Sequence, residues 1–128
     1  MSIREYYKLL NDVDIALDTT PYSGATTTCD ALWMSVPVIT LAGAHSVARS
    51  GVSLLTTVGL PDLIAQSPQD YIRLATTLAQ DVPRLTTLRH GLRERMRQSP
   101  LMDETKFVQG IEALYRHMWQ AWCEDSSS

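Results

Sequence analysis

The spacing of apolar positions changes partway along the chain. Short β-branched runs alternate with helix-like stretches as far as residue 66, and helical spacing alone follows. Ser2 stands three residues ahead of Glu5, a capping-box spacing that predicts a short helix through Tyr6, Tyr7, Leu9 and Leu10, broken at Asn11-Asp12. Val13 to Asp18 is largely apolar, carries Val and Ile, and ends on an acid before a turn. That is the pattern of a buried parallel strand, although so short a run does not by itself exclude a helix. Thr19 to Ala25 contains Pro21, Ser23 and Gly24 and reads as a loop. A helix is expected to begin among Thr26, Thr27 and Thr28, run through Cys29, Ala31, Leu32, Trp33 and Met34, and stop before Pro37. Val38 to Ala42 is a second strand, closed by Gly43. Ala48 to Val58 returns to helical spacing with Gly59 as its stop, and Leu63-Ile64-Ala65 suggests a brief strand.

The second half carries stronger helix signals. Ser67-Pro68-Gln69-Asp70 places a capping serine before a first-turn proline and an acid, and Tyr71, Leu74, Ala75 and Leu78 form one apolar face. Leu85, Leu88, Leu92 and Met96 recur at helical spacing among Arg84, Arg89, Arg93, Arg95 and Arg97. Asp103 can cap a last helix whose stripe of Phe107, Ile111, Leu114, Tyr115, Met118 and Trp122 is expected to be core. The fold class is therefore α/β: about three parallel strands in βαβ units, half of a doubly wound domain, followed by C-terminal helices. Residues 1–66 read as the half-domain, 67–123 as helices packing on it, and 124–128 as a disordered tail.

Composition narrows the function classes. The chain has 128 residues, 45% hydrophobic and 20% charged, a size and balance that fit one globular domain. Eleven Lys and Arg against fourteen Asp and Glu give a formal charge of −3, which provides no general pull on nucleic acid or an anionic membrane. The arginines between Arg84 and Arg97 read as a solvated helix face rather than a phosphate or RNA surface. No apolar run of about 18 residues is present, and the first residues lack a signal-peptide core, so no membrane partner and a cytoplasmic location are expected. Cys29 and Cys123 lie far apart without CxxC spacing, and neither a metal site nor a disulfide framework is expected.

Two loops leave the carboxyl ends of the strands, where open α/β sheets bind ligands. The first, Thr19 to Thr28, runs straight into a helix whose outward N–H groups and dipole favour an anion. Gly24 permits close backbone approach, the hydroxyls of Thr26, Thr27 and Thr28 add donors, and Asp30 can accept from sugar hydroxyls. A phosphate or diphosphate fits this set without a lysine. Ordinary helix capping by Thr and Ser accounts for the same residues, and the loop is neither a Rossmann GxGxxG nor a P-loop. In the second loop, His45 and Arg49 stand four apart, on one face if the segment is helical. Arg49 could meet phosphate, pair with a carboxylate or extend from the surface, and His45 fits a solvated loop histidine. A nucleophilic set of Cys29, Asp30 and His45 is a further reading, set against Cys29 as a small core residue.

Asp14 to Thr19 and Gly24 to Val38 closely resemble the C-terminal region of the family 41 glycosyltransferases, the O-linked N-acetylglucosamine transferases, with bacterial members matching almost letter for letter. Leu41-Ala42-Gly43, Ala48 to Gly51, Ser53-Leu54-Leu55, Val58-Gly59-Leu60, Ser99-Pro100-Leu101, Leu114-Tyr115 and Met118-Trp119 keep the family's order. The resemblance covers nearly the whole chain. It implies a GT-B architecture of two Rossmann-like domains, and a nucleotide-sugar role for the half-domain at 1–66. It also implies inverting transfer of N-acetylglucosamine from UDP to Ser or Thr hydroxyls, with no cofactor and no required metal. Carried over, the donor diphosphate falls on Thr26 and Thr27 and the donor sugar or ribose on Asp30, with Gly24, Thr28 and Arg49 in support.

Two departures stand out. Ala25 replaces a histidine or glycine of some members, and Ser35 replaces the usual glycine before Val36-Pro37. The family's earlier strands, its diphosphate-contacting lysine, its N-terminal catalytic domain and its acceptor-binding repeats are expected to be missing. With no convincing general base here, the expectation is a UDP-sugar-binding portion that is inactive by itself and carries no catalytic residue. It would depend on a missing N-terminal segment or on self-association as a homo-oligomer. The alternative is a stand-alone nucleotide-binding or dimerisation module without transferase activity.

Overall fold

Residues 2–125 are described by a computed structural model. Ser2 and Glu5 close the expected capping box: Ser2 Oγ accepts the Glu5 amide at 3.3 Å and Glu5 Oε2 accepts the Ser2 amide at 2.6 Å. Helix α1, Ile3–Asn11, starts there. Strand β1 is Ala16–Leu17, shorter than the expected Val13–Asp18. The preceding residues spend their backbone groups elsewhere. The Val13 amide closes the end of α1 on the Leu10 carbonyl at 3.4 Å, and the Val13 carbonyl accepts from Arg89. Nor is β1 buried as expected. It is an edge strand, and Leu17 is 56% exposed.

Strand β2, Val38–Leu41, is the middle of an open parallel sheet in the order β1-β2-β3, with β3 at Ile64–Ala65. The registers are Ala16↔Val38 and Leu17↔Ile39 on one side, Thr40↔Ile64 and Leu41↔Ala65 on the other. Val38, Ile39 and Thr40 are buried because only the central strand has neighbours on both sides. The α/β, Rossmann-like class expected from the sequence is the one observed.

Helix α2, Thr26–Trp33, ends ahead of Pro37 as anticipated. Ser35 takes a left-handed φ of 64°, its amide reaches the Leu32 carbonyl at 3.0 Å, and the Val36 amide reaches the Ala31 carbonyl at 2.8 Å. That bond pair is a Schellman stop. Helix α3, Ser50–Thr57, ends the same way at Gly59, with the Leu60 amide on the Leu55 carbonyl at 2.8 Å. The single helix expected over Ala48 to Val58 is instead a 3-10 turn at Ser46–Ala48 followed by α3, with Arg49 non-helical between them.

Leu32, Val36, Ile39, Leu55, Leu60 and Leu63 form the centre of the core, and two helices close it from the C-terminal side. Helix α4, Pro68–Gln80, is capped by Ser67 and contributes Tyr71, Leu74, Ala75 and Leu78. Helix α5, Val82–Gln98, is capped by Asp81 and contributes Leu85, Leu88, Leu92 and Met96. The arginines of α5 are not simply a solvated face. Arg84 pairs with Asp62, Arg89 binds the Asn11 and Val13 carbonyls, Arg93 lies 4.9 Å from the Trp33 ring centroid, and Arg95 donates to the Gly59 carbonyl at 2.8 Å. Two of these contacts satisfy carbonyls just past the ends of α1 and α3.

Helix α6, Glu104–Asp125, is capped by Asp103, whose Oδ1 accepts the Lys106 amide at 2.9 Å. It does not pack on the half-domain in the way expected of all the C-terminal helices. Phe107, Leu114, Tyr115, Met118 and Trp122 are exposed, and the helix meets the rest of the chain mainly at Pro100–Met102. Glu124 and Asp125, expected in a disordered tail, continue the helix, and residues 126–128 lie outside the described residues. No helix among the described residues is long and apolar enough to cross a membrane.

Candidate functional site

Asp18, at the carboxyl end of β1, organises the loops above the sheet. The residue is only 9% exposed and its carboxylate is matched by three donors: Oδ1 accepts the Thr19 amide at 3.0 Å and the Gly24 amide at 2.7 Å, and Oδ2 accepts the Thr40 hydroxyl at 2.7 Å. Its main-chain carbonyl accepts the Tyr71 hydroxyl at 2.7 Å. The bond to Gly24 folds the loop back beneath the start of α2. A Cβ on Gly24 would lie 2.7 Å from Thr27 Oγ1 and 2.8 Å from Thr28 Oγ1, and one on Gly51 would lie 2.5 Å from Asp18 Oδ2. A side chain at either position would force these neighbours to move, so both approaches favour glycine.

Ser23 performs the same service for the second loop. Its buried Oγ donates to the Val47 carbonyl at 3.0 Å and accepts the Ser50 amide at 3.1 Å, at the first residue of α3. The two loops are thus held as one unit by side chains from the first of them. Sequence reasoning missed both anchors. The available signal was a strand-terminal acid followed six residues later by glycine.

At α2 the N-cap is Ala25, and no side chain caps the helix. The ordinary capping that could have accounted for the threonines is therefore not what they do. Thr26 and Thr27 are exposed and Thr28 is buried. The helix start lies between two hollows. One, of ≈ 630 Å³, is lined by Ala25, Thr26, Cys29, Ser46, Arg49 and Ser50 with the following turn of α3. The other, of ≈ 260 Å³, is lined on the β1 side by Asp18, Thr19, Gly24, Thr27 and Thr28 together with Tyr6 of α1.

Asp30 is half-buried, one turn into α2. Its Oδ1 accepts the Tyr7 hydroxyl at 2.9 Å, and that bond leads the causes that push the Tyr7 pKa above the usual tyrosine value. Arg49 lines the larger hollow while its guanidinium donates to the Gly43 carbonyl at 3.0 Å. His45 is exposed at the start of the 3-10 turn and does not share a helical face with Arg49. The Cys29 thiol is pushed up, first by burial and then by Asp30, and it lines a different hollow from His45. A raised thiol pKa leaves little thiolate at neutral pH, so the nucleophilic set is not assembled. Among the described residues no cluster of three or more His, Cys, Asp or Glu could hold a metal ion.

A backbone of this shape recurs in longer proteins. A mutant O-GlcNAc transferase of Thermobaculum terrenum superposes with a TM-score of 0.89 at 40% identity, over 98% of this chain and 24% of that one. A protein of Eustoma exaltatum subsp. russellianum, described as "Probable UDP-N-acetylglucosamine--peptide N-acetylglucosaminyltransferase SPINDLY", is 53% identical over 112 residues, which are 88% of this chain and 12% of that protein. The UDP-N-acetylglucosamine--peptide N-acetylglucosaminyltransferase of Caenorhabditis elegans is 30% identical over 109 residues, or 85% of this chain and 10% of its own. This chain therefore spans about an eighth of its plant relative. The family model for glycosyl transferase family 41 matches residues 5–111, most of the chain from α1 into α6, and the chain belongs to that family.

Proposed function

We propose that this chain is the UDP-sugar-binding portion of an inverting protein O-GlcNAc transferase-like enzyme and does not carry out transfer as an isolated chain. The observation that carries the reading is the uncapped start of α2, flanked by threonines and open to solvent on both sides. A diphosphate lying across this end meets Thr26 on one side and Thr27 on the other, with the first-turn amides between them. Gly24 and Thr28 support that grip from below, and Arg49 from the larger hollow. The Tyr7 bond fixes the Asp30 carboxylate by Oδ1 and leaves Oδ2 to accept a sugar or ribose hydroxyl of UDP-GlcNAc. No metal or other cofactor enters this reading, and the setting is cytoplasmic.

Transfer also needs a second substrate held in line and a group to take its proton. Among the described residues none is placed for that, so catalysis belongs to an assembly with a partner segment. The exposed stripe of α6 favours a companion role in self-association. The test is a UDP titration followed by amide chemical shifts. Shifts confined to Gly24–Asp30, with affinity reduced about tenfold in Thr27→Ala, are expected for loss of one hydroxyl donor to an anion. No shift at saturating UDP counts against donor binding. Incubation with UDP-GlcNAc and a Ser/Thr peptide is expected to give no glycopeptide.

A further inference from the structure

We infer that Asp18 is a positioning residue for the donor site, holding the α2 threonines in place by fixing the Gly24 amide. The inference rests on the donor-binding reading above.

A buried carboxylate directly beneath an anion site is at first sight the wrong charge. The geometry resolves this. All three donors that reach its carboxylate come from the protein itself, two backbone amides and one hydroxyl, so the charge is matched from within. What Asp18 contributes is the path of the chain. Gly24 is drawn to 2.7 Å, and at that approach Thr27 Oγ1 and Thr28 Oγ1 stand where a side chain on Gly24 would be. On the opposite side Oδ2 joins Thr40 of β2, and Gly51 of α3 passes so close that a Cβ there would meet Oδ2 at 2.5 Å. One carboxylate therefore connects β1, β2, α3 and the start of α2. A site that must meet a diphosphate with several donors at once needs such fixed support.

Asparagine and alanine separate geometry from charge. In Asp18→Asn, Oδ1 still accepts both amides, and Nδ2 donates to the Thr40 hydroxyl, which can accept as readily as it donates. Asp18→Ala leaves the Thr19 and Gly24 amides and the Thr40 hydroxyl without their acceptor. The expected result is UDP affinity lowered about tenfold or more in Asp18→Ala but within about threefold of wild type in Asp18→Asn. The Gly24 and Thr27 amide signals are expected to move, and the Gly24 amide to lose exchange protection, in Asp18→Ala alone. A residue serving stability alone would lower the melting temperature and leave the affinity of the folded chain unchanged, which overturns the inference. Equal weakening in both variants overturns it as well, because charge would then be the cause.

Should Asp18→Ala fail to fold, Thr40→Val removes only the donor on Oδ2. Loosened Gly24 and Thr27 amides are then expected, and wild-type amides are the refuting outcome. Should UDP shift nothing in the wild-type chain, donor binding fails by itself. Asp18 is then judged on those two amides in the variants: displaced amides uphold its hold on the loop, and unmoved ones overturn it.

Discussion

Ser35 occupies a backbone position that suits glycine. Its φ of 64° places Cβ in the left-handed region, where a side chain crowds the neighbouring carbonyl, and the Schellman bonds at the end of α2 hold it there. Ser35→Gly is therefore expected to raise stability by about 1 kcal/mol, seen as a higher urea midpoint at unchanged slope. A midpoint that stays or falls would show that the serine is not strained. At this scale the site was half legible. Thr26, Thr27, Thr28 and Gly24 stood out because their types and spacing are those of a helix start able to accept an anion, although helix capping uses the same residues. Asp18 and Ser23 did not, because an acid or a serine beside a turn is commonplace, and their partners Thr40 and Ser50 lie more than twenty residues away. The sequence marks Asp30 as an acceptor for sugar hydroxyls, and only the fold brings the Tyr7 hydroxyl to it.

Elements whose ends are written in local chemistry matched their expectations: the capping box of α1, the serine cap of α4, the aspartate cap of α6 and the glycine stop of α3. Elements decided by distant contacts did not. Strand β1 is short because Arg89, far along the chain, takes the Val13 carbonyl, and the helix expected over Ala48 to Val58 is broken beside the loop that Ser23 ties down. Helix α1 shows how such contacts also set stability. Besides its packing, it is held by Arg89 at its end and by the Tyr7–Asp30 bond. The bond needs a neutral tyrosine, and the folded-state pKa of Tyr7 lies above its usual value. Its contribution is thus fully present below the ordinary tyrosine pKa and is lost as pH rises through the raised folded value. Amide exchange of α1 is expected to quicken in that alkaline window, and Tyr7→Phe should shrink the step. A step of unchanged size in Tyr7→Phe would rule out this bond as its origin.

For the whole molecule, the decisive feature is apolar surface that the fold leaves in water. Leu17 lies on an open sheet edge, while Phe107, Leu114, Tyr115, Met118 and Trp122 mark a stripe along α6, with Trp119 stacked on Trp122 at 5.4 Å between centroids. Burying one such side chain is worth about 1.5–3 kcal/mol, against a net stability of about 5–15 kcal/mol for a typical domain. Covering only a few of them would therefore change the stability of the molecule as much as folding does. An unpaired parallel edge adds backbone donors and acceptors that invite another strand. The chain is accordingly expected to self-associate at low micromolar concentration, or to bind a partner segment in preference. Light scattering on a gel-filtration peak reads this directly. Two substitutions separate the surfaces, since Trp122→Glu addresses the helix stripe and Leu17→Lys the sheet edge. A fall in mass with Trp122→Glu alone assigns the contact to α6, and a fall with Leu17→Lys alone assigns it to β1. A wild-type chain that elutes as a monomer and melts in one sharp transition would mean that three strands and the five helices packed on them suffice, leaving α6 with no part in holding the molecule together.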